Sequence, residues 1–159
     1  MAETLNIVTG TKSEKYQALI PQIESLLMDE DDAIASMANV AAVIWETFGF
    51  FWIGFYRVKG EQLILGPFQG PLACMRIKKG RGVCGTAFAK ASTIVVPDVD
   101  KFPGHIACSS QSRSEIVVPL IKDGEVVAVL DIDSTELSTF DETDALYLGQ
   151  IASLVAAKF

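Results

Sequence analysis

The chain has one histidine, three cysteines and no apolar run of membrane-spanning length in its 159 residues. With His105 as the lone imidazole, Ser-His-Asp hydrolysis is disfavoured. A membrane-spanning helix needs about 20 consecutive apolar residues, so a helical span is excluded. The opening "MAETLNIVTG" shows no basic segment followed by an apolar one, and the expectation is a cytoplasmic protein. An odd number of cysteines in such a chain argues against a structural disulfide framework. Cationic residues are also scarce, 13 Lys and Arg against 20 Asp and Glu for a net charge of −7. They are scattered apart from "RIKKGR", so no nucleic-acid footprint and no affinity for anionic membranes is expected.

What is present suits one globular domain, with 50% apolar and 21% charged residues. "SEKYQALIPQIESLLMDE" reads as a helix with Ser13 as N-cap, kinked or restarted at Pro21. A second helix runs from about Asp31 to Phe48 on an apolar stripe that includes Ile34, Met37, Ala41 and Ile44, and Gly49 ends it. Strands follow in "FFWIGFYRV", "LILGPF", "LACMRI" and "TIVVPDV", then a hairpin of "EIVVPLI" and "EVVAVLDID". "DETDALYLGQIASLVAAKF" closes the chain as a helix capped by Asp141. Helices, then consecutive strands, then a helix predict an α+β fold with a central, mostly antiparallel sheet. The expected division is a helical part over 1–48, sheet and site loops over 49–138, and a terminal helix over 139–159.

"KKGRGVCGTAF" sets three glycines in a G-x-G-x-x-G frame. A dinucleotide loop needs a parallel βαβ unit around that frame, and a phosphate loop needs G-K-[ST]; neither is present. The stretch reads instead as a turn launching a short helix. Cys84 then falls in the first turn, either as a thiolate stabilised by the helix N-terminus or as a small packing residue.

"SEIVVPLIKDGEVVAVLDIDS" places Glu115, Asp131 and Asp133 on an otherwise apolar hairpin. A two-residue Asp-Gly turn puts Glu115 opposite Ile132; a three-residue loop puts it opposite Asp131. Carboxylates converging on a buried face repel one another unless a cation arrives, and their pKa values rise, as suits a general acid. The cation is a metal or the ammonium of an amino acid; "DIDSTELSTFDE" lacks a calcium-loop pattern. The bland alternative has Asp131 and Asp133 capping a solvated strand end.

Strand alternation puts Trp52, Gly54 and Tyr56 on one face, with a slot expected over the glycine between two aromatics. "VDKFPGHIACSSQSRSE" is a long polar loop that makes Cys108 more accessible than a core cysteine. The H-x-x-C of His105 and Cys108, with Cys74 and Cys84, matches no familiar zinc spacing.

The blocks "GPFQG", "ACMRI", "GRGVCGTAF", "FPGHIAC", "SRSEIVVPL" and "VLDIDS", in that order, resemble the free methionine-(R)-sulfoxide reductases, which are single GAF-type domains. The resemblance implies Cys108 as nucleophile, Cys74 as resolving cysteine and Cys84 as an alternative or auxiliary thiol. It implies Glu115, Asp131 and Asp133 as substrate-binding carboxylates, with Trp52 and Tyr56 as the aromatic pocket. It further implies reduction of free methionine sulfoxide through a sulfenic acid and a disulfide, with a thioredoxin-like reductant and no metal or organic cofactor. A homodimer is left open. Ser109 stands where the family often has aspartate, and Ala128 where it commonly has glycine. The competing function is a non-catalytic GAF-type sensor of a small ligand.

Overall fold

A computed structural model describes residues 4–159. Helix α1 (Lys12–Leu27) starts one turn-signal earlier than expected, because Thr11 and Glu14 form a reciprocal capping box. Ser13 is therefore inside the helix, not its cap. The helix runs unbroken through Pro21, which lies on its exposed face. Helix α2 (Ala33–Phe48) begins at Asp32, whose carboxylate accepts from Ala35 N, and ends at Gly49 in the left-handed region (φ 67°).

Six strands follow: β1 (Trp52–Lys59), β2 (Gln62–Gln69), β3 (Arg76–Lys78), β4 (Ile94–Val96), β5 (Ser114–Lys122) and β6 (Glu125–Ser134). They form one sheet in the order β3-β2-β1-β6-β5-β4, with every neighbouring pair antiparallel. The expected strand "LACMRI" shrinks to its last residues plus Lys78, leaving Cys74 in the preceding loop. "TIVVPDV" stops at Val96 because Pro97 has no N–H for the ladder. Helix α3 (Gly82–Lys90) joins β3 to β4, a 3-10 turn spans Val99–Lys101, and α4 (Glu142–Ala156) starts at Asp141 in a second capping box.

Alternation along the strands splits the interior into two cores. One face of the sheet, with Ile53, Phe55, Ile116, Val118, Leu130 and Ile132, packs against α1, α2 and α4. The other, with Trp52, Tyr56, Val117 and Val129, packs against α3 and the long loop before β5. The fold is α+β, a single domain of four helices on a six-stranded antiparallel sheet. Among the described residues no helix is long and apolar enough to cross a membrane.

The β5–β6 hairpin resolves the register question in a third way. Lys122 pairs with Glu125 around a two-residue Asp123-Gly124 turn, both with positive φ (53° and 80°). Val127 is then left over in a bulge, since Ile121 pairs with Val126 and Leu120 with Ala128. The one-residue shift sets Glu115 opposite Asp133 and Val117 opposite Asp131. All three carboxylates therefore share the face that looks toward α3.

Candidate active site

The site is a pocket on the α3 face, floored by β1, β5 and β6 and roofed by two loops. Glu115 and Asp131 are each 6% exposed, and Asp133 beside them is partly exposed. Asp131 Oδ1 is fully buried and, among the described residues, has no hydrogen-bond partner. Among the described residues none of the three acids pairs with a lysine or arginine. Burial, reinforced by the charge of Asp133, pushes the Glu115 carboxyl up to about 8. Burial and the neighbouring acids raise Asp131 and Asp133 as well, although a hydrogen bond from Ser112 pulls Asp133 partway back. The pocket thus holds three acids whose protonated forms burial favours and whose charged forms gain from an incoming cation.

His105 Nε2 lies 3.7 Å from Glu115 Oε2. Burial lowers the imidazole pKa, against a smaller opposing effect of Asp100. A neutral ring at that distance is not an ion pair, so the acids remain without a fixed counter-charge.

The glycine frame has a steric explanation. Gly80 and Gly82 adopt left-handed φ (82° and 62°), and a Cβ on Gly85 would sit 2.5 Å from the Lys78 carbonyl oxygen. These contacts press the first turn of α3 onto the turn after β3 and bring Cys84 to the pocket wall. Cys84 is 4% exposed, and burial, followed by the Asp131 and Glu115 charges, pushes its thiol up. Of the two readings of Cys84 the fold favours the packing residue over the thiolate: burial, with two acids on the facing strands, outweighs the helix N-terminus. Arg81 contributes no side-chain cap to α3. The first turn of α3, with Gly82, Val83 and Cys84 lining the pocket, thus has no side-chain cap.

Trp52 and Tyr56 stack at 6.0 Å between ring centroids, and Phe68 stacks on Trp52 at 5.3 Å. The slot expected at Gly54 does not exist. A Cβ there would lie 2.4 Å from Phe68 Cβ and 2.6 Å from Trp52 Cη2, so the glycine admits the indole ring itself. The Trp52 indole donates to the Pro71 carbonyl (3.0 Å) and the Tyr56 hydroxyl to the Cys74 carbonyl (2.9 Å). The aromatic wall thereby anchors the loop that carries Cys74.

Across the pocket mouth Cys74 and Cys108 form a disulfide, with Cα atoms 5.5 Å apart, while Cys84 is a free buried thiol. Cys108 is exposed in its loop and lines the same pocket as Glu115, Asp131 and Asp133. Every candidate site residue from the sequence lines this pocket except Cys74, which is tied to it through the disulfide to Cys108. Sequence reasoning missed Phe68, Arg81 and Ser112. Phe68 was visible only as part of an apolar strand, and Ser112 only as one serine among several.

The GAF domain family model matches residues 28–158, and the chain belongs to the GAF family. Within it, the chain is similar to the free methionine-R-sulfoxide reductase of Escherichia coli, 43% identical over 143 residues covering 89% of this chain and 87% of that one. It is 59% identical over 156 residues to GAF domain-containing protein A of Dictyostelium discoideum, covering 98% and 99%. The crystal structure of the Neisseria meningitidis free methionine-R-sulfoxide reductase with its substrate superposes with a TM-score of 0.96, at 56% identity and 98% and 95% coverage. Within the GAF family the chain belongs with the free methionine-R-sulfoxide reductases.

Proposed function

We propose that the protein reduces free L-methionine-(R)-sulfoxide to methionine with the Cys108 thiol. The observation that carries this reading is the buried, cation-free carboxylate cluster directly beneath a cysteine pair. A free amino acid supplies the missing cation as its α-ammonium, which a peptide-bound residue lacks. The uncapped N–H groups at the start of α3 suit its α-carboxylate. Trp52 takes the S-methyl end, with Tyr56 behind it.

In the reduced protein the Cys108 thiolate attacks the sulfoxide sulfur. A protonated carboxyl, Glu115 or Asp133, donates to the sulfoxide oxygen; the resulting hydroxyl passes from the substrate sulfur to the Cys108 sulfur, the substrate S–O and transient S–S bonds break, and methionine leaves with Cys108 as sulfenic acid. The Cys74 thiol then attacks that sulfur, forming the disulfide and releasing water. Tyr56 supports this step by holding the Cys74 carbonyl. A dithiol reductant of the thioredoxin type returns both cysteines to thiols and becomes a disulfide. Cys84, buried and protonated, serves the pocket wall and is the auxiliary thiol of the cycle.

The test supplies each epimer of free methionine sulfoxide with a dithiol and measures methionine formed by wild type and Cys108→Ser. Turnover of the R epimer by wild type, and its loss by more than about 10^4-fold in the variant, is expected. Undiminished turnover by Cys108→Ser would sink the proposal.

A further inference from the structure

The donors beneath the disulfide have a second chemical use. Cys84 Sγ and one carboxylate oxygen each from Glu115 and Asp131 lie within 4.8 Å of one another, and all three residues are buried. Asp131, 6% exposed, keeps an unpartnered oxygen in this group. Tetrahedral zinc, bonded at about 2.3 Å to sulfur and about 2.0–2.2 Å to oxygen, separates its donors by about 3.4–3.6 Å. Modest side-chain rotations close that difference. The donors stand on three packed elements: the first turn of α3, β5 and β6. Sulfur in the set selects a thiophilic ion over calcium or magnesium, which take oxygen ligands.

We propose that Cys84, Glu115 and Asp131 form an inhibitory site for one thiophilic divalent cation of the zinc or cadmium type. On binding, the Cys84 S–H bond breaks, its proton and those held by the Glu115 and Asp131 carboxyls go to solvent, and one sulfur–metal and two oxygen–metal bonds form, with no change of oxidation state. Two carboxylates and a thiolate against a doubly charged ion leave one net negative charge, so most of the mutual repulsion is removed. The ion occupies the place of the substrate ammonium; only this overlap rests on the function proposed above, not the binding itself. In the oxidised protein Cys84 is the free thiol, because Cys74 and Cys108 are paired. A metal–thiolate signal from that form reports on Cys84 alone.

The experiment titrates the oxidised protein, verified to hold one free thiol per chain, with Cd2+ while recording sulfur-to-cadmium charge-transfer absorption. A saturable band at one cadmium per chain is expected. It should vanish in Cys84→Ser, and binding should weaken by at least about tenfold in Asp131→Asn and in Glu115→Gln, each shown folded by circular dichroism. No band in wild type, or equal affinity in wild type and both carboxamide variants, overturns the site. Free methionine sulfoxide added to the cadmium-loaded protein should displace the ion. An undisplaced band, in a protein whose reduced form turns this substrate over, overturns the overlap. Cadmium binding as expected in a protein that turns over no methionine sulfoxide upholds the site and overturns the function instead.

Discussion

Two buried acids on opposite sides of the sheet show how the same residue type serves opposite ends. Asp144, 0% exposed at the start of α4, is held by Lys12 Nζ and the Tyr16 hydroxyl, each at 2.6 Å, and by Asp141 N at 2.9 Å. Its charge is balanced, and the acid pins α1 to α4. Asp131, 6% exposed, has no cation and an oxygen with no partner, and its neighbours are two further acids and a thiol. Its side of the sheet holds desolvated groups that a ligand can complete. A buried carboxylate with its counter-charge built in stabilises the fold; one without it is poised for something that arrives from solution.

That contrast can be broken from either side. The largest effect belongs to Asp131→Asn and Glu115→Gln, which keep shape and remove charge. Each should lower kcat/KM for free methionine sulfoxide by about 10^2–10^4-fold while leaving the thermal midpoint unchanged or higher. Steady-state kinetics and a melting curve on the same preparation check both halves. On the other side, Lys12→Met strands the Asp144 charge and should cost about 3 kcal/mol in a denaturant titration. Turnover per folded molecule should stay at the wild-type level; a large loss of kcat would undo the division between the two faces.

The pH dependence follows next. A carboxyl whose folded pKa lies above its unfolded value binds more protons in the native state between the two, so stability falls as pH rises through that window. For Glu115 the window runs from its ordinary 4.5 to about 8, and Asp131 and Asp133 shift in the same direction. The substrate-free protein should melt at a higher temperature near the acid end of this window than near the alkaline end. Glu115→Gln should flatten the slope, and an unchanged slope would show that the cluster does not govern it. The smallest effect is that of Tyr56→Phe, which removes the hydroxyl donated to the Cys74 carbonyl. A loss of about 1 kcal/mol is expected, seen as a several-fold slower closure of the disulfide in stopped-flow thiol measurements.

Much of this was legible in the residues. The Asp141 cap and the run of consecutive strands follow from local rules, and the structure has them where those rules put them. The α2 stripe holds only in part: Met37, Ala41 and Ile44 are buried, but Ile34 is 55% exposed and Val40 completes the buried face. The α1 start was misplaced by two residues because Thr11 and Glu14 satisfy each other's backbone groups, which a reading that starts at Ser13 does not see. The slot at Gly54 was misjudged because a missing side chain looks like space in a sequence, while in the sheet Trp52 and Phe68 fill it. The choice between thiolate and packing residue at Cys84 stayed open in the sequence because it answers to burial and to Asp131 and Glu115, residues more than thirty positions away in the chain.

The sequence by itself determined which groups exist and how the chain folds locally. It placed three acids on an apolar hairpin, a cysteine in a long loop, and a glycine frame too far from any parallel βαβ unit to cradle a dinucleotide. Only the tertiary structure decided their chemistry. One bulged residue, Val127, shifts the hairpin register and sets Glu115 across from Asp133. Burial against α3 then removes the water that would have hydrated those charges, and the approach of two loops pairs Cys74 with Cys108, not with Cys84. Register, desolvation and loop closure depend on contacts between distant segments, and such contacts are not written in local pattern.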